Sequence, residues 1–251
     1  MYFISITIVV SFIITKNNNM IKYIGTHNSG TSGELVWWQK PLKYFLNKTS
    51  KCQNLSIREQ LDINTKLFNL QVTKYDDEWV FSHGFCIYKE KLEDALNLMV
   101  KYATKESPIY YQLVLDKNFL RKQYKKSFEI YAIELIKKYT NKNVVMLNAK
   151  IEGDDGYIYE SHVNLDISEK YWTFGGAMNE MKGFKDIKNL FPNPKKHAVK
   201  YNMNYIKNNS ADYLMLDYIE YGLLGCMCGT IDPNIDCPLQ SPHKWKCLKN
   251  I

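Results

Sequence analysis

Between residues 21 and 219, short apolar runs of strand length alternate with amphipathic runs of helix length. That alternation constrains the fold more than any other feature, because parallel strands need a helical crossover between them. Ile21–His27, Leu67–Val72, Trp79–Ser82, Ile109–Leu115, Val144–Ile151, Tyr157–Glu160, His197–Tyr201 and Ala211–Ile219 read as strands. Ser56–Ile63 reads as a helix, with Ser56 and Glu59 spaced as a capping box. Leu92–Ala103 places Leu92, Ala95, Leu96 and Met99 on one helical face. Phe119–Tyr139 is a long helix rich in Lys and aromatics, and Asn204–Ser210 is a helix or a loop. No Gly-x-Gly-x-x-Gly follows the first strand, which favours a barrel over a dinucleotide-binding sheet. The strands fall short of a complete barrel. The expectation is therefore an α/β chain forming a distorted or incomplete TIM-type (β/α) barrel, as a single domain.

Three regions follow from the pattern: an apolar segment over 1–19, the barrel over 20–222 and a Cys-rich tail over 223–251. Ile4–Thr15 is shorter than the roughly 20 residues of a membrane-spanning helix. It has the length of a signal-peptide core, yet no basic residue precedes it and no small-x-small cleavage site follows. It is either signal-like or upstream of a true start at Met20. The first reading makes the protein secreted; the second makes it cytoplasmic with peripheral membrane contact. Of the six cysteines, Cys226, Cys228, Cys237 and Cys247 fall in this tail beside His243. They suit disulfides, zinc or reduced thiols.

A hydrophobic fraction of 45% excludes a disordered chain. The net charge of +7, mostly Lys, favours an anionic partner such as an acidic membrane, a phosphate ester or nucleic acid. The pair Trp37-Trp38 is either core or a membrane-interface anchor.

Polar groups gather where a barrel presents its site, at the C-terminal ends of strands. One group is Gly25-Thr-His27-Asn28-Ser-Gly-Thr31, another Asn69 and Gln71, and a third Ser82-His83-Gly84. Asn69 and Gln71 share one face of a strand, opposite Phe68, Leu70 and Val72. An unpaired buried amide costs about 1–3 kcal/mol, so the two line either a wet pocket or an exposed strand. Two histidines suit phosphoryl transfer: near neutrality one can take a proton while the other gives one. His162, His197 and His243 have no motif around them and read as structural.

The run from Gly25 to Thr31 resembles the opening signature of the phosphatidylinositol-specific phospholipase C X-region. Lys51-Cys52-Gln53, Ser56-Ile57 and Gln60-Leu61 resemble that family's approach to its second strand, and Ser82-His83-Gly84 its second His-Gly. The motifs fall in the family's order over about residues 21–116. The resemblance implies a phosphoric diester hydrolase that cleaves phosphatidylinositol to diacylglycerol and a cyclic inositol phosphate. His27 would be the general base and His83 the general acid. Asn28 would contact the phosphate or a metal. Asp217, on a segment that looks like the family's last strand, is either the brace of His27 or a strand-end carboxylate paired with a lysine. The implied partners are a phospholipid headgroup and an anionic membrane surface, with no nucleic acid, and a monomer is expected.

The sequence departs from the family on the second strand. Metal-dependent members carry carboxylates there for calcium, and metal-independent members carry Asp and Arg. Asn69 and Gln71 stand at those positions. Asn28, Asn69, Gln71 and Asp116 would form a calcium site of low charge, and affinity falls with ligand charge. The alternative is no metal, with Lys74 just past the strand reaching in. Asn28, Asn69, Gln71 and Lys74 are thus the candidate substrate contacts. Two other readings stay open: a glycerophosphodiester phosphodiesterase or sphingomyelinase D-like enzyme, and a non-catalytic phosphoinositide binder.

Overall fold

A computed structural model describes residues 23–116, 124–170 and 194–220. The apolar segment 1–19, Met20, the four tail cysteines and His243 lie outside the described residues. Among the described residues nine strands form one curled sheet: β1 (Tyr23–Thr26), β2 (Leu67–Tyr75), β3 (Glu78–His83), β4 (Cys86–Lys91), β5 (Ile109–Leu115), β6 (Val144–Ile151), β7 (Tyr157–Glu160), β8 (Ile167–Lys170) and β9 (Tyr213–Leu216). Seven of them run in the order β7-β6-β5-β2-β1-β9-β8, and β3 and β4 extend from β2 off that path. The pairs β1–β2, β1–β9, β2–β5, β5–β6 and β8–β9 are parallel. Among the described residues no pairing joins β7 to β8, so the sheet is a half-barrel.

Among the described residues five α-helices accompany the sheet: α1 (Lys43–Ser50), α2 (Ile57–Asp62), α3 (Leu92–Tyr102), α4 (Lys125–Tyr139) and α5 (Pro194–Asn208). The capping box of α2 forms as expected: Glu59 N–H donates to Ser56 Oγ, and Ser56 N–H donates to Glu59 Oε2 at 2.8 Å. α3 buries the four residues expected of it, Leu92, Ala95, Leu96 and Met99. Parity sorts β2 into two faces. Phe68, Leu70 and Val72 join the layer under α3 and α4, with Tyr111, Leu113, Leu115, Phe128 and Leu135. Each such side chain contributes about 1.5–3 kcal/mol by leaving water. Leu67, on the opposite face, meets Leu147 and Met215 in the barrel floor. Asn69 and Gln71 stand above that floor.

Two expectations are corrected. Trp79–Ser82 is not a barrel strand of its own but the centre of β3, which pairs antiparallel with β2. The reason is the turn: Asp76 and Asp77 both take left-handed conformations, the pattern of a tight hairpin. Trp79 then stacks on Tyr131 of α4, ring centroids 5.2 Å apart. His197–Tyr201 lies within α5 instead of a strand. The alternation there is local; Ala198, Asn202 and Ile206 recur at helical spacing and are buried. The strands β4 and β8 were not legible in the sequence.

Gly30 sits in the turn after β1, where an added Cβ would stand 2.0 Å from the Phe81 ring. Gly30→Ala must therefore push the turn off β3. We expect a loss of about 1–3 kcal/mol, read as a lower urea midpoint at unchanged slope. A midpoint equal to the parent's would contradict this packing.

Candidate active site

β1 ends by delivering His27. Its backbone N–H donates to Leu216 O of β9 at 3.0 Å, so the last residues of β1 and β9 are locked side by side. Asp217 follows β9 directly, and its Oδ1 lies 2.8 Å from His27 Nδ1. A carboxylate only accepts, so Nδ1 carries the proton and Nε2 presents a lone pair. Asp217 is buried, and its partner is His27 rather than a lysine. The next residue, Tyr218, is bent into a left-handed conformation at φ 45°. Three bonds hold that kink: Tyr218 N–H to Cys52 O, Tyr218 O–H to Lys51 O, and Asn202 Nδ2 to Tyr218 O.

His83 ends β3. Gly84 takes φ +59° in the short turn to β4, which explains glycine after this histidine. His83 Nδ1 donates to Ser50 O at 2.7 Å, leaving Nε2 for chemistry. The His27 and His83 rings stand edge to face, centroids 6.2 Å apart. Burial is the main influence on His83 and pushes its proton affinity below the ordinary histidine value; the His27 ring pushes the same way, and the Ser50 carbonyl opposes both.

The motif residues around the histidines turn out to be braces. Thr31 Oγ1 accepts from the N–H groups of Cys52 and Gln53. Gln53 Nε2 donates to His27 O and to Leu216 O, each at 2.9 Å. Gln60 Nε2 donates to Ser29 O and Leu55 O. Cys52 Sγ lies 3.6 Å from His83 Nδ1 and accepts from Asn28 Nδ2 at 3.7 Å. Burial and the Asp217 carboxylate hold this thiol well above its ordinary value, so it is neutral. Cys52, Gln53, Gln60 and Thr31 carried no assigned role in the sequence reading. The available signal was their polarity inside segments that are otherwise core.

The interior amides Asn69 and Gln71 are buried and do not face solvent. Asn69 Oδ1 accepts from Asn28 N–H, and Asn69 Nδ2 donates to Gln112 Oε1. Gln71 Nε2 donates to Glu152 Oε2 at 2.9 Å. Asn28 Oδ1 and Asn148 Oδ1 are buried without a hydrogen-bond partner, as befits groups completed by a ligand or water. Lys74 does not join them. It has the parity of Val72, opposite Gln71, and pairs with Asp77 at 3.3 Å. Lys150 of β6, in register with Gln71 through Val114, has the interior parity that Lys74 lacks.

Calcium does not fit these donors. Of Asn28, Asn69, Gln71 and Asp116 only Asp116 is acidic, and the Asn69 oxygen is already bound to a backbone N–H. Calcium needs a set of oxygen ligands with substantial charge. No step below is routed through it.

Comparison with solved structures follows the same line. A histidine-to-tyrosine mutant of the phosphatidylinositol-specific phospholipase C of Staphylococcus aureus superposes with TM-score 0.52 at 14% identity, covering 85% of this chain and 87% of that one. The phosphatidylinositol-specific phospholipase C of Listeria monocytogenes gives 0.50 at 12% identity, covering 89% and 98%. The chain has the fold of these bacterial phospholipases. No family model and no curated protein matches the sequence. The fold is therefore shared at low sequence identity.

The state of His83 is open to direct measurement. In a proton NMR titration its ring should titrate below about 6.5, since burial favours the neutral form. By linkage, its contribution to stability is complete above the unfolded value and declines as the pH falls toward the folded one. A ring titrating at or above 6.5 would contradict the desolvated environment.

Proposed function

We propose that the protein is a phosphodiesterase that cleaves phosphatidylinositol by internal attack of an inositol hydroxyl. The observation that carries this reading is the His27–Asp217 pair facing His83 across 6.2 Å. His27 Nε2 takes the proton of the attacking hydroxyl as its oxygen bonds to phosphorus. Asp217 holds the ring's tautomer and stabilises the imidazolium that forms. The bond from phosphorus to the lipid oxygen breaks, and His83, entering the cycle as the imidazolium with both ring nitrogens protonated, donates from Nε2 the proton that makes diacylglycerol. The products are diacylglycerol and a cyclic inositol phosphate, and the cycle closes as the two histidines exchange a proton with solvent.

Charge stabilisation is the weak half of this site. The interior face of β2 carries only Leu67, Asn69, Gln71 and Thr73. The phosphate would meet amide dipoles and Lys150. Developing charge is usually where most catalysis is won, so turnover should be slow. The same observation favours a second reading, a phosphoinositide binder without turnover.

One assay separates the two. The purified chain, with calcium and then with chelator, should release cyclic inositol phosphate from phosphatidylinositol vesicles. His27→Ala, His83→Ala and Asp217→Asn should each lower kcat at least about 100-fold. No product from the parent, with headgroup binding that survives both alanine variants, establishes the binder instead. Release of choline or glycerol from other lipids would point to the sphingomyelinase D or glycerophosphodiester class.

A membrane face fits the same reading. Trp37, Trp38, Leu42, Tyr44 and Phe85 are exposed. Phe85 follows His83 by two residues, and Gln39 Nε2 donates to Phe85 O at 2.6 Å, tying the two segments together. Lys40 and Lys43 are interleaved with the aromatics. Exposed Trp beside Lys suits an anionic interface. One of the matching Staphylococcus aureus structures concerns modulation of that enzyme's membrane binding. Trp37→Ala with Phe85→Ala should weaken partition onto phosphatidylserine-containing vesicles at least about 10-fold by sedimentation. Unchanged partition would remove this face from the proposal.

A further inference from the structure

Cys52 has no part in the proton transfers above, yet it stands among the residues that perform them. One ligand atom each from His27, Cys52 and Asp217 lies within 4.8 Å of the others. No other such cluster of His, Cys, Asp or Glu occurs among the described residues. We propose that these three side chains form a site for a borderline-soft divalent cation, zinc in particular, and that the bound ion shuts off the base.

The donor set decides the metal class. One imidazole nitrogen, one thiolate and one carboxylate oxygen suit zinc, whereas calcium and magnesium take oxygen alone. A tetrahedral zinc with bonds of about 2.0–2.3 Å places its ligand atoms roughly 3.3–3.8 Å apart. The present spread closes to that by small side-chain rotations. A fourth position remains for water or a phosphate oxygen. Binding replaces the thiol proton of Cys52, which leaves to solvent as the sulfur–zinc bond forms. Asn28 Nδ2, already 3.7 Å from Sγ, is placed to donate to the resulting thiolate. Entry runs along the His27 edge, the one partly exposed member of the trio.

The consequence is competitive. A metal on Asp217 and His27 breaks the 2.8 Å bond that holds the tautomer and occupies the base. The inhibitory part rests on the phosphodiesterase reading; the metal site itself does not.

The test therefore reads the metal directly. Co2+ is titrated into the full chain, and the near-ultraviolet thiolate-to-cobalt charge-transfer band is followed. The tail cysteines are a second possible thiolate source, so a full chain with Cys226, Cys228, Cys237 and Cys247 changed to Ser is run in parallel. We expect that chain to keep a band of one cobalt per molecule. Cys52→Ser and, as a check on folding, Cys52→Ala should lose it while keeping the parent's circular dichroism spectrum. Cys86→Ser, a buried thiol outside the cluster, should retain it. Zn2+ should displace the cobalt, and Cys52→Ser should weaken zinc binding at least about 10-fold. If the quadruple variant does not fold, the stoichiometry of Cys52→Ser should still fall by one relative to the parent. A band or stoichiometry unaffected by Cys52→Ser, or no band in the parent, overturns the site. If turnover exists, zinc inhibition reversible by chelator should shift by the same factor in Cys52→Ser.

Discussion

The side chain of Gln53 holds the site together. Its amide donates to the carbonyls of His27 and Leu216, one at the end of β1 and the other at the end of β9. Its oxygen accepts from Ile219 N–H. These two strands come from opposite ends of the described chain. Their termini must be fixed to a few tenths of an ångström if Asp217 is to meet His27. The amide is wholly buried, so losing any of its bonds would leave a desolvated polar group at a cost of about 1–3 kcal/mol. Thr31 and Gln60 extend the same bracing to Cys52 and Ser29.

Around this rigid frame the site divides into two unequal halves. One half is the histidine pair: His27 Nδ1 is held by Asp217 and His83 Nδ1 by the Ser50 carbonyl, while His27 Nε2 meets Asn28 Nδ2 at 3.2 Å. The other half is a network of amides and the Glu152 carboxylate over an apolar floor. Asn69 bonds to Gln112 and Gln71 bonds to Glu152, so these side chains satisfy one another. Such a network keeps the barrel interior polar through its own hydrogen bonds. It also shows how a chain can hold this fold, shared with bacterial phospholipases at 12–14% identity, with neutral Asn69 and Gln71 on its second strand. The fold depends on strand parity and the floor, not on the charge.

Much of the fold was legible because periodicity is a local property. β2, β5 and α3 appear where alternation or helical spacing marks them. Failures came where a short window misled. His-Ala-Val-Lys-Tyr alternates like a strand, but the longer spacing of Ala198, Asn202 and Ile206 makes a helix. β3 reads as another barrel strand when taken alone; the short turn from β2, with Asp76 and Asp77 left-handed, leaves room only for an antiparallel neighbour. Lys74 looked available until parity placed it on the far face, and Lys150 was overlooked because its register depends on a bulge between β5 and β6.

The sequence alone determined the α/β alternation, the order of the motifs and the identity of the two histidines, since each is written in contiguous residues. Only the tertiary structure decided that Asp217 meets His27, 190 positions away, and that a neutral Cys52 thiol lies against His83 and within 4.8 Å of a His27 ring nitrogen. Those are contacts between segments, and the bonds that fix them run through backbone carbonyls that any residue could supply. No spacing in the chain encodes them; the curvature of the sheet does.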